Sequence, residues 1–132
     1  MLTQRPDLFE GVVIQVPLLD MKRYHVLLAG TSWMAEYGDP DTDDWEFISK
    51  YSPYQNLDVD ADYPIPFFTT STRDDRVHPG HARKMVARMN EMGHDLYYYE
   101  NTVGGHAGAS DNDQAAKVEA MIYSYLWDQL GN

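Results

Sequence analysis

An α/β protein with about three mostly parallel strands and flanking helices is the fold class this sequence predicts. Three short β-rich runs, the long connections between them and the helical periodicity within those connections support it. The first run, Gly11-Val12-Val13-Ile14-Gln15-Val16, is β-branched and stops at Pro17, so it reads as a buried strand. The second lies within Asp62-Tyr63-Pro64-Ile65-Pro66-Phe67-Phe68-Thr69-Thr70, with prolines marking its entry. Asp95-Leu96-Tyr97-Tyr98-Tyr99-Glu100 is the third. Parallel neighbours need long crossovers, and a long connection separates each run from the next.

Helices are expected in the crossovers. Pro79 suits a first helical turn, and Ala82, Met85, Val86 and Met89 fall at i, i+3, i+4 and i+7. Gly93 then supplies a stop. From about Asp113 to Leu130, residues Ala115, Val118, Ile122, Tyr125 and Leu126 share one helical face. Thr42 to Lys50 reads as a short helix opened by a Thr or Asp cap. Met1 to Asp7 reads as the tail of a helix, which leaves the strand at Val12–Val16 with an edge to protect. Two copies pairing through that edge about a two-fold axis is the expected remedy, with Met1–Phe9 folding over it as the alternative.

Composition narrows the function. A chain of 132 residues with 43% hydrophobic and 13% aromatic residues has the material for one domain with a real core. The net charge of −11 excludes nucleic acid and anionic membranes as natural partners, since both are polyanions. Without cysteine there is no disulfide, no thiol nucleophile and no Cys-based zinc site. No apolar run approaches the ~20 residues of a membrane span, and the first residues lack a signal-like apolar core, so the cytoplasm is expected. Asp39, Asp41 and Asp43 are spaced like the start of a calcium loop. Asp44 stands where that loop needs Gly and Lys50 where it needs Glu, so an acidic helix start is expected and no metal. His78 and His81 read as surface histidines. Gly104-Gly105 precedes a histidine, not the Lys-Ser or Lys-Thr of a phosphate loop, and no cofactor is expected.

Two motifs carry the chemistry. Thr72-Arg73-Asp74-Asp75-Arg76-Val77 comes first, and Val103-Gly104-Gly105-His106-Ala107-Gly108 follows after one helix-like and one strand-like segment. An acid, then a helix and strand, then a loop histidine is the order in which α/β-hydrolases deliver the last two members of a Ser–Asp–His triad. The serine belongs in an earlier Gly-x-Ser-x-Gly elbow, and the chain contains none. Ser32 lacks the second glycine of an elbow, and Ser110 follows the histidine, in the wrong order.

At these motifs the chain resembles the C-terminal part of the catalytic domain of the prolyl oligopeptidase family of serine peptidases. The likeness extends to Leu2-Thr3-Gln4-Arg5-Pro6-Asp7-Leu8-Phe9, Leu19-Asp20-Met21, Trp33-Met34-Ala35-Glu36-Tyr37-Gly38 and Tyr51-Ser52-Pro53-Tyr54. It implies that residues 1–132 are a single partial α/β-hydrolase domain lacking the nucleophile elbow. It also implies Asp74 as triad acid, with Asp75 the competing candidate, and His106 as general base. Trp33 would be the aromatic floor for a substrate proline, Leu18, Tyr37 and Val77 would line that pocket, and Arg76 would hold a substrate carbonyl.

Each residue also has a plainer reading. Trp33 and Tyr37 are then core aromatics, Val77 packs, Arg76 pairs with a neighbouring Asp, the Asp pair caps the helix near Pro79, and His106 is an ordinary loop residue. The resemblance implies hydrolysis of peptide bonds after proline by an acyl-enzyme route. Without nucleophile and most oxyanion donors, the chain alone is expected to be nearly inert. A peptide is then a substrate only after an N-terminal part completes the site. The alternative is a non-catalytic α/β module for self-association or docking.

Overall fold

Alternation along the central strand explains how the layers assemble. The computed structural model describes residues 1–131. Strands β1 (Val12–Gln15), β2 (Pro66–Ser71) and β3 (Tyr97–Asn101) form one sheet in the order β1-β2-β3, and both pairings are parallel. The register sets Val13 beside Phe67 and Ile14 beside Phe68, with Phe67 beside Tyr97 and Phe68 beside Tyr98. Successive side chains point to opposite faces. Phe68 therefore meets Met85 and Met89 of helix α3 (Gly80–Glu91; α1 and α2 are the short Met34–Tyr37 and Trp45–Ile48). Phe67 meets Ile122 and Tyr125 of α4 (Asn112–Leu130) on the other face. All six residues of β2 are buried. Burying side chains such as Phe68, Met85 and Met89 contributes roughly 1.5–3 kcal/mol each.

Most elements form where the sequence places them. Gly93, at φ +85°, ends the turn after α3, a conformation that only glycine adopts without strain. Asp111 caps α4 by accepting the Gln114 N–H at 2.9 Å. Tyr125 ties α4 to the sheet. Its hydroxyl donates to the Ile65 carbonyl and accepts the Val12 N–H, both at 2.7 Å.

Four expectations are corrected. Only Trp45–Ile48 of the Thr42–Lys50 segment is α-helical, and Asp44 stands at its N-cap without a side-chain cap bond. The Asp44 carboxylate instead accepts the Asp39 N–H, and the Thr42 hydroxyl accepts the Asp44 N–H. Met1–Asp7 is no helix tail: Arg5 N–H closes one turn on Met1, and a short 3₁₀ segment follows at Pro6–Leu8. His81 is not a surface residue. It is 1% exposed, its Nδ1 accepts the Asp20 N–H, and burial lowers its pKa to about 4. His78 is half-buried, and its Nδ1 accepts the Gly80 N–H at 2.9 Å.

The 3₁₀ runs Tyr24–Val26 and Leu28–Trp33, which lead into α1, have no counterpart in the sequence reading. They bring Gly30 against the Tyr24 carbonyl, where a Cβ would come within 1.7 Å of the oxygen, so this packing requires glycine. Among the described residues no strand pairs with the outer side of β1. Among the described residues no helix is long and apolar enough to cross a membrane.

Candidate active site

Parallel pairing puts the carboxyl ends of β2 and β3 side by side, and in open α/β sheets that end is where ligands bind. The loop leaving β2 carries Asp74, and the loop leaving β3 carries His106. Strand direction therefore brings two residues distant in sequence into contact. His106 Nδ1 lies 2.9 Å from Asp74 Oδ2 and 3.0 Å from Oδ1. The Asp74 side chain is fully buried, and Oδ1 also accepts the Arg76 and Val77 N–H groups at 2.9 Å. A turn of its own loop thus fixes the carboxylate, and it does not cap α3. Asp75 is exposed.

An Nδ1–H donated to the carboxylate leaves the Nε2 lone pair free, and Nε2 has no hydrogen-bond partner among the described residues. The imidazole side chain is 34% exposed, enough to meet an incoming group. It borders a cleft of about 370 Å³ lined also by Val16, Thr69, Thr70 and Val118. Val16 turns out of β1 at φ +40°, a costly conformation for a β-branched residue and one typical of functional sites. Ser32 Oγ donates to Ala29 O and Ser110 Oγ to Asp111, so neither hydroxyl bonds His106.

Leu18, Trp33 and Tyr37 come together. All three are half-buried on the apolar cluster of Met21, Tyr24 and Ile48, and Tyr37 stands edge-on to Tyr24 with ring centres 5.8 Å apart. Their inner faces belong to the core, and part of each surface stays exposed. Arg76 is exposed, and its guanidinium forms no ion pair among the described residues. Its carbonyl accepts the Ala29 N–H at 3.4 Å, which ties the acid loop to the segment leading to Trp33. Val77 is not packed on that cluster and joins the site through its N–H to Asp74.

One polar grouping escaped the sequence reading, and a second joins His25 to two of the acids weighed there for calcium. Glu100 accepts from Arg83, from Tyr98 Oη and from Thr72 Oγ1, bracing the acid loop two residues before Asp74. The Arg83 guanidinium, against the opposing effect of burial, holds the Glu100 pKa down to about 2, with help from Thr72 and Tyr98. A lone acid in an aromatic strand was the available signal. His25, Asp39 and Asp41 also bring one donor each within 4.8 Å, a set suited to a divalent cation. The Lys22 ammonium, 3.0 Å from Asp41, already supplies positive charge there.

The description "Prolyl oligopeptidase family" matches residues 1–132, the whole length. The chain belongs to the prolyl oligopeptidase family. An uncharacterized peptidase of Sinorhizobium fredii is 52% identical over 128 residues, covering 96% of this chain and 18% of the relative. An uncharacterized peptidase of Rickettsia prowazekii is 39% identical over 132 residues, covering 98% of this chain and again 18% of the relative. The solved structure of a post-proline cleaving enzyme from Rickettsia typhi superposes with a TM-score of 0.95 at 38% identity. That match covers 98% of this chain and 19% of that one. The chain thus spans about a fifth of the length of these relatives, and it matches the C-terminal part of the family's α/β-hydrolase catalytic domain.

Proposed function

We propose that this chain carries the proton-handling half of a serine peptidase that cleaves peptide bonds after proline. The bidentate contact between the buried Asp74 carboxylate and His106 Nδ1 is the observation that supports it. A serine hydroxyl supplied from outside these residues attacks the scissile carbonyl. His106 Nε2 takes the hydroxyl proton as the C–O bond forms, and Asp74 stabilises the imidazolium. The same proton passes to the leaving amine as the C–N bond breaks. Water then hydrolyses the acyl-enzyme, with His106 again acting as base. The exposed face of Trp33 receives the substrate proline beside Leu18, Tyr37 and Val77. Arg76 donates to a substrate carbonyl. The proline preference draws on the post-proline cleaving neighbour and on a prolyl endopeptidase of Dictyostelium discoideum that is 41% identical over 88 residues.

The same reading makes residues 1–132 by themselves nearly inert, and assigns the outer edge of β1 to the completing segment. When that segment is missing, two copies pair there. The test uses a covalent serine-hydrolase probe and a chromogenic proline peptide. The chain alone should neither label nor cleave, and adding the upstream part of a family member should restore both. His106→Ala should then lower kcat by at least about a thousand-fold. Labelling of the isolated chain would refute its inertness, and full activity of the alanine variant would remove His106 from the mechanism.

A further inference from the structure

We propose that Asn101 is the positioning residue that holds the His106 loop in register with Asp74, an inference that rests on the base role given to His106. Asn101 ends β3 and is 4% exposed. Its Oδ1 accepts the Val103 N–H at 2.8 Å and the Gly104 N–H at 3.1 Å. Its Nδ2 donates to the Gly108 carbonyl at 2.5 Å and to Gln114 Oε1 at 3.1 Å. A carboxamide offers two donors and two acceptor sites, and all four are used. Two main-chain N–H groups on one side and a main-chain carbonyl on the other fix its orientation. A flipped amide would set donors against donors.

Position in the loop gives this hub its meaning. Val103 and Gly104 precede His106 and Gly108 follows it, so one buried side chain ties both legs of the loop to the end of the strand. Gly108 N–H donates to Gly105 O at 2.9 Å, closing the tip between them. The fourth bond reaches Gln114 in the first turn of α4, whose own N–H is held by the Asp111 cap. The Asn101 main-chain carbonyl accepts the Thr72 N–H at 2.8 Å, so the residue also anchors the loop of Asp74. Ser71 Oγ donates to the Gly104 carbonyl but reaches only one leg. No other uncharged side chain of this length both accepts and donates in pairs. An aspartate at this position keeps the two acceptor bonds and turns a negative oxygen towards the Gly108 and Gln114 oxygens.

The inference is tested on His106 itself. Long-range ¹H–¹⁵N spectra of the isolated chain read which ring nitrogen carries the proton. The wild type should show the Nδ1–H form of the neutral ring. Asn101→Ala should mix the two tautomers, and Asn101→Asp, which keeps half the hub, should fall between. Amide signals of β2 and α3 should stay in place in Asn101→Asp, separating loop release from unfolding. In the protein completed with its nucleophile segment, Asn101→Ala should lower kcat ten- to a hundred-fold with KM little changed, because misplacement of about 1 Å costs about that much. A wild-type tautomer in both variants would overturn the inference while leaving the function intact. A wild type without Nδ1–H would overturn both.

Discussion

At the scale of single residues, the Asp74 carboxylate shows why exchange of one atom matters. Asp74→Asn can keep Oδ1 towards the Arg76 and Val77 N–H groups, but it then presents NH₂ to His106 Nδ1. The ring must accept there, which places its proton on Nε2 and leaves no base. In the completed protein kcat should fall by about 10⁴, with little change in melting temperature. Wild-type kcat in this variant would exclude the carboxylate from the mechanism. The pairing of Asp74 with His106 was legible because each stands in a motif whose order is informative. Asn101 and Glu100 were not, because their importance comes from backbone groups that the loops gather around them. Trp33 and Tyr37 were legible as aromatics, but sequence alone could not say how much of each ring the core covers.

Elements carry a different record. The period of α3 named its buried Met85 and Met89, since a helix pressed on a strand must repeat every third or fourth residue. Met89→Ala should cost about 2–5 kcal/mol in denaturant unfolding, as expected for an unexposed methionine cut back to a methyl. A loss below 1 kcal/mol would mean that the space collapses. The 3₁₀ runs were invisible because they rest on a close approach at Gly30 and have no apolar period. Gly30→Ala should therefore destabilise the chain far more than an ordinary exposed Gly→Ala change.

His81 lies on the same α3 face and broke the surface expectation, which gives this helix a pH dependence. Asp20 favours its charge, while burial, His78 and Lys84 oppose it, and burial dominates. Its pKa is lowered from 6.5 to about 4, so between those values the unfolded chain binds a proton that the folded chain refuses. Its stabilisation is complete above pH 6.5 and declines as pH falls towards 4, by on the order of 3 kcal/mol in all. Urea unfolding should show that decline, and His81→Asn, which can still accept the Asp20 N–H, should flatten it. Equal slopes in both proteins would assign the acid sensitivity elsewhere.

The whole molecule is governed by its charge and its open edge. Val16 N–H donates to Thr69 O, so alternation along β1 turns the Val13 and Gln15 N–H groups away from β2. A row of N–H groups without a strand partner is open to pairing with a strand that reaches it. A second copy brings its own net charge of −11, so self-pairing works against long-range repulsion. Added salt screens that repulsion within about 10 Å at 0.1 M and should strengthen the dimer, the reverse of an assembly held by opposite charges. Sedimentation velocity should show a monomer at low salt and a growing dimer fraction as salt and concentration rise. Gln15→Pro removes an outward N–H without touching a bond to β2, so it should leave a folded monomer throughout. If the proposed function is right, the completing segment should displace the dimer at equal concentration, since both then need the same edge. A dimer that survives Gln15→Pro, or a wild type that stays monomeric at every salt, would move the contact away from β1.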